Sequence, residues 1–161
     1  MKKSVTLYNM IFPMWSIYFF GLLFPALLLI LLPANFLVDT LALFLLFYKM
    51  KLPEKKLLYR SGILRAWGFG FLADILASLL ILGLRELIDF RAYGINIYLP
   101  YSNAEAFLFT TVAVVLAGGL IYFFHIKYVW RKTWLDVVQK RKIALGMAIL
   151  TAPYLMYLPP M

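Results

Sequence analysis

The chain has 161 residues, of which 65% are apolar and only 14% charged, with a net charge of +9 and no cysteine. A soluble domain carries about 25% charged and about 45–50% apolar residues, so this composition leaves too little polar surface to cover a water-soluble fold and directs the apolar excess toward lipid. Disulfides and thiolate metal sites are excluded, and nucleic acid is not an expected partner, because the basic residues punctuate apolar runs instead of lining a groove beside exposed aromatics.

Lys2 and Lys3 precede an apolar stretch in which Asp39 is the sole charge before Lys49. A signal-peptide core is about 7–15 residues, so a longer, uncleaved spanning segment is expected here. A spanning helix needs about 20 predominantly apolar residues, and this stretch is long enough for two. Pro33 lacks the N–H that continues a helix and its ring clashes with the preceding turn, which predicts a hairpin with spans at 11–32 and 35–48. A re-entrant dip is the rival reading for the second.

The next apolar stretches predict spans at 66–84, 106–126 and 143–158. Ser102 and Glu105 have the spacing of a capping box ahead of the fourth span. Ile95, Ile97 and Leu99 alternate with Asn96 and Tyr98 as a short strand or an interfacial loop would. The last stretch contains Pro153, Pro159 and Pro160, so a shallow or re-entrant course is its alternative. The expected fold class is an all-α integral membrane protein, a single polytopic domain of about five helices, with four plus a re-entrant segment as the fallback.

Charge orients the chain. Lys and Arg accumulate on the cytoplasmic side. They concentrate at the N-terminus, between Lys49 and Arg65, and between Lys127 and Lys142, leaving only Arg85 and Arg91 elsewhere. The expected topology therefore has the N-terminus inside and the C-terminus outside, with the bacterial cytoplasmic membrane as the default location. In the later basic segment, Trp130, Trp134, Val137 and Val138 fall near one helical face, with Lys127, Arg131 and Lys132 largely elsewhere. This predicts an interfacial helix that grips anionic lipid at the inner face. The segment around Leu57, Leu58, Ile63 and Leu64 is a second candidate of the same kind. His125, two residues before Lys127, is expected to be interfacial, and with one histidine and no cysteine neither a metal site nor a cofactor is expected.

Two aspartates stand inside predicted spans, where an acidic group costs about 2.5–3.5 kcal/mol and is a functional candidate by default. Asp39 lies ten residues from Lys49 and Asp74 nine from Arg65. At a rise of about 1.5 Å per residue each sits near the middle of a core about 30 Å thick. Asn35 shares a helical face with Asp39, and Gly70, Ala77 and Ser78 share one with Asp74. Small residues allow helices to approach closely, so the two carboxyls are expected to meet. Two ionised carboxylates in a low dielectric repel, so such a pair shares a proton or binds a cation with help from Asn35. The competing reading makes each Asp a strut bonded to a backbone carbonyl, Ser78, Thr40 or a tyrosine.

Paired aspartates also suggest intramembrane proteolysis. However, Ala73, not glycine, precedes Asp74, and no Asn-x-x-Asp-Arg motif surrounds Asp39; an enzyme is not expected. Two ridges of small residues, Ala144, Ala148 and Ala152, and Ala113 and Ala117 beside Gly118 and Gly119, predict close packing within the chain or between copies. The expected function is that of a non-enzymatic subunit, scaffold or assembly factor acting with another membrane protein or as a homodimer. The alternative is a small proton- or cation-coupled transporter using Asp39, Asp74, Asn35 and Ser78.

Overall fold

The structure, a computed structural model, describes residues 25–87 and 99–157. These residues form four α-helices and no strand: α1 (Pro25–Lys49), α2 (Lys55–Leu87), α3 (Ala104–Phe124) and α4 (Val137–Leu150). A five-residue π-helical segment, His125–Val129, extends α3, and a 3₁₀ turn, Tyr154–Tyr157, follows α4. Three stretches are long and apolar enough to cross a membrane: Leu32–Lys49, Lys55–Leu80 and Ala104–Val129.

Helix α1 departs from the expected hairpin. It continues through Pro33 for 25 residues, so the boundary expected at Pro33 is not there, and the predicted span at 35–48 is the second half of a longer helix. The neighbouring helix packs beside Pro33: Trp67 Nε1 donates to the carbonyl of Leu32 at 3.2 Å, and the Trp67 ring packs edge-on against Phe36. The carbonyl that Pro33 leaves without its helical donor is that of Leu29, four residues earlier. Most of the predicted span at 11–32 lies outside the described residues.

Between α1 and α2 the chain reverses in five residues. Leu52 N–H donates to Phe47 O and Lys51 N–H to Tyr48 O, the pair of bonds that closes a Schellman motif. Lys51 takes the left-handed conformation, φ 50°, that glycine usually fills there. Phe47 and Leu52, both buried, supply the apolar contact that accompanies the motif.

Helix α2 begins at Lys55, well before the span predicted at 66–84, and runs 33 residues. The basic segment around Leu57, Leu58, Ile63 and Leu64 is therefore the first part of this helix and not a separate interfacial one. Leu58 and Ile63 are in the core while Leu57 and Leu64 remain exposed. Helix α3 starts one residue later than the predicted capping box implies. Asn103, not Ser102, is the N-cap, and its Oδ1 accepts from Ala106 N–H at 2.7 Å. The predicted alternation at 95–99 falls outside the described residues, apart from Leu99.

The last segment differs most. The helix begins at Val137, six residues before the predicted span, and ends at Leu150. Asp136 starts it with a full capping box, its side chain accepting from Gln139 N–H while the Gln139 side chain accepts from Asp136 N–H. Fourteen residues rise about 21 Å, short of a hydrocarbon core of about 30 Å. The chain then bends at Thr151 to Pro153, and the 3₁₀ turn continues along α3, where Tyr157 Oη donates to Thr111 Oγ1 at 3.0 Å and Met156 packs on Ala113 and Val114. A broken course replaces the single helix predicted over 143–158.

The helices are arranged in a ring. Helix α2 packs on α1 and α3, and α4 packs on α3 and α1, with no contact across either diagonal among the described residues. The end of α1, the starts of α2 and α4 and the end of α3 share one end of the molecule, and that end carries the basic segments. The main core lies there, built from Leu43, Phe47, Leu58, Ile121, Trp130, Ile143 and Met147. Gly118 stands where a Cβ would meet Ala148 O at 3.4 Å and Ala152 Cβ at 4.0 Å, so the two predicted ridges of small residues pack against each other within the chain.

Candidate buried polar site

Helices α1 and α2 carry the four polar residues of the predicted site on facing surfaces. Asp39 is 1% exposed, Asp74 4% and Ser78 1%, and Asn35 is half-buried one turn from Asp39. Burial of this degree follows from the local sequence. On α2, Ala66, Gly70, Ala73 and Ala77 are all buried, so the helix offers α1 a face without bulk. At Gly70 a Cβ would lie 3.4 Å from Asp39 Oδ2; the Asp39 carboxyl thus reaches across the seam onto the α2 backbone. One turn along, the Asp74 carboxyl is within electrostatic reach of Asp39.

Asn35 Nδ2, Asp39 Oδ2, Asp74 Oδ1 and Ser78 Oγ are all buried with no hydrogen-bond partner among the described residues. Thr40, one of the expected strut partners, is bonded elsewhere, its Oγ1 lying 3.1 Å from Tyr59 Oη. A buried polar group without a partner costs about 1–3 kcal/mol, more for a charged one, and native structures keep such groups paired almost everywhere. These four groups line one seam with oxygen ligands: two carboxyls, a hydroxyl, and an amide that presents its Oδ1 after a half-turn about χ2. Two carboxylates in one seam away from water are strongly unfavourable; one proton or one small cation between them removes the repulsion.

The predicted lipid-anchor residues divide. Lys127, Arg131, Lys132 and Trp134 are exposed around the basic end, and Lys127 Nζ sits over the Phe123 and Tyr128 rings at 5.1 and 5.6 Å. Trp130 is not among them, and its expected place on a lipid-facing helix is corrected: it is completely buried, because residues 130–136 are turn and not helix. Its ring meets Phe47 edge-on at 5.9 Å and covers Gly62, where a Cβ would come within 2.5 Å of the indole.

His125 was expected at the interface and lies in the core instead, 0% exposed. Its Nδ1 accepts from Trp130 Nε1 at 3.2 Å, which leaves the ring proton on Nε2, an atom with no partner among the described residues. Sequence reasoning missed this pair because it placed Trp130 on a helix. The signal that remains in the sequence is Gly62, a glycine of α2 that faces the Trp130 ring, and it is legible only once the turn is known.

No protein-family model, curated protein or solved structure matches this chain.

Proposed function

We propose that the chain is a small multi-pass membrane protein, its basic end in the cytoplasm, that binds a proton or a small monovalent cation between Asp39 and Asp74 as the coupling site of a transporter. The observation that carries this reading is the set of four orphaned, buried polar atoms on Asn35, Asp39, Asp74 and Ser78. Exchangeable ion sites in carriers lie near the bilayer midplane. Here about 15 Å of helix separates Asp39 from Lys49. The reaction is binding and release; no chemical bond is made or broken, and the chain is not read as an enzyme.

The shortness of α4 favours a second reading. With a helix of 14 residues and three full-length stretches, the described part of the chain is small for a complete carrier, and a second copy or another membrane protein would complete it. The subunit or scaffold function expected from sequence is compatible with that. Purified protein in liposomes loaded with a pH-sensitive dye separates the two. A carrier moves protons in answer to an imposed Na⁺ or K⁺ gradient and loses the response in D39N and D74N. A scaffold shows no ion-driven proton movement in any variant.

A further inference from the structure

The outer surface of α3 and α4 at the basic end carries a feature that the ion site does not use. One turn beyond the close approach of Gly118 to Ala148, the two helices leave a groove of about 260 Å³ between Tyr122 on α3 and Arg141, Lys142 and Leu145 on α4. Its lining holds two adjacent cations and a phenol and no carboxylate. Arg141 and Lys142 are exposed, so their charges are free to meet an incoming anion. Leu145, 54% exposed, and Ile149, 56% exposed, continue from Arg141 at successive i+4 positions. The helix therefore presents a cationic head and an apolar track on one stripe about 12 Å long, of which Leu145 to Ile149 make up about 6 Å.

We propose that this groove is a binding site for one anionic phospholipid, with the phosphate held by Arg141, Lys142 and the Tyr122 hydroxyl and an acyl chain laid along Leu145 and Ile149. The guanidinium fork matches phosphate oxygens bidentately and the ammonium adds a point charge. Basic pockets between helices on the cytoplasmic side are suited to anionic headgroups. The stripe decides between sources of phosphate: a free anion has no use for Leu145 and Ile149, whereas a lipid buries both. The inference rests on residence of the chain in a membrane and is independent of Asp39 and Asp74.

Native mass spectrometry of the detergent-purified full chain, titrated with phosphatidylglycerol or phosphatidylcholine, tests it. Phosphatidylglycerol is expected to stay bound in preference to phosphatidylcholine. R141Q/K142Q should weaken it by more than about tenfold, since each basic residue near a lipid surface contributes on the order of 1 kcal/mol. R60Q/R65Q, the same charge loss on α2, the helix diagonal to α4 in the ring, should change it by less than about threefold. L145N/I149N keeps both cations and should weaken phosphatidylglycerol while leaving inorganic phosphate unaffected. Equal losses in the two charge variants would reduce the site to a diffuse basic surface and overturn the proposal. So would displacement of the lipid by inorganic phosphate at matched concentration, or indifference to headgroup charge. D39N/D74N should retain the lipid; a chain that fails to enter bilayers at all would instead refute the membrane reading on which the inference stands.

Discussion

Single residues set the spacing of this fold, and Gly62 shows how. The Trp130 indole lies against its Cα, closer than any Cβ permits, and from there donates to His125 Nδ1 and closes the core over Phe47. Gly62→Val should drive Trp130 out of its place and lower stability by about 1–3 kcal/mol, the usual cost of overpacking, read as a fall in thermal midpoint with a red shift in tryptophan emission. Trp130→Phe retains most of the packing but leaves His125 Nδ1 without a donor. It should cost about 1–3 kcal/mol, the penalty of an unsatisfied buried acceptor. If both variants melt with the parent chain, the Trp130 contact is not part of what holds the basic end together. Asp39 and Asp74 were legible in the sequence as charged residues in apolar runs, and the position of Asn35 and Ser78 one turn from them on the same helix faces followed from helical spacing. The His125 and Trp130 pair was not, since its geometry depends on a turn whose residues also fit an amphipathic helix.

At the scale of elements, helix ends follow capping chemistry more closely than they follow the edges of apolar runs. Apolar length alone predicted a last span at 143–158, yet Asp136 and Gln139 start the helix six residues earlier and include four charged or polar residues in it. The Asp136 and Gln139 spacing is present in the sequence, but the charges that follow it lie outside the apolar run from which the span was placed. Pro33 was misjudged because one proline removes a single helical hydrogen bond, which a helix packed against its neighbour continues through. Asp136→Ala should cost about 0.5–2 kcal/mol by removing the cap, measurable as a lower thermal midpoint and faster amide exchange in the first turn of α4. Lys51→Gly should act in the other direction. Replacing a left-handed lysine at φ 50° relieves a strain of about 1–2 kcal/mol, partly offset by the extra chain entropy of glycine, so the midpoint should rise slightly. A fall would mean that the lysine side chain contributes something its backbone strain conceals.

For the whole molecule, the basic residues and the ring of helices give the same polarity. The α1–α2 turn and the segment before α4 lie at one end; Tyr101 and the start of α3 lie at the other. Because the chain has no cysteine, single cysteines can be placed at will. Cysteines at positions 51 and 132 should react with a membrane-impermeant maleimide only when the cytoplasmic face is open, and one at position 101 only from outside. Labelling of positions 51 and 132 from opposite sides would refute the arrangement. Composition established the helical class and the apolar lengths; the ring order, and the meeting of the α3 and α4 small-residue ridges within one chain, depend on packing that no single segment encodes.

The central claim is that Asp39 and Asp74 form an exchangeable ion site, and infrared difference spectroscopy of the purified protein across pH, with and without Na⁺ or K⁺, tests it most directly. The account predicts a buried protonated-carboxyl band that changes with pH or on cation addition and that is absent from D39N/D74N. Carboxyl bands that stay constant under every condition would contradict it and leave the two aspartates as fixed parts of the helix seam.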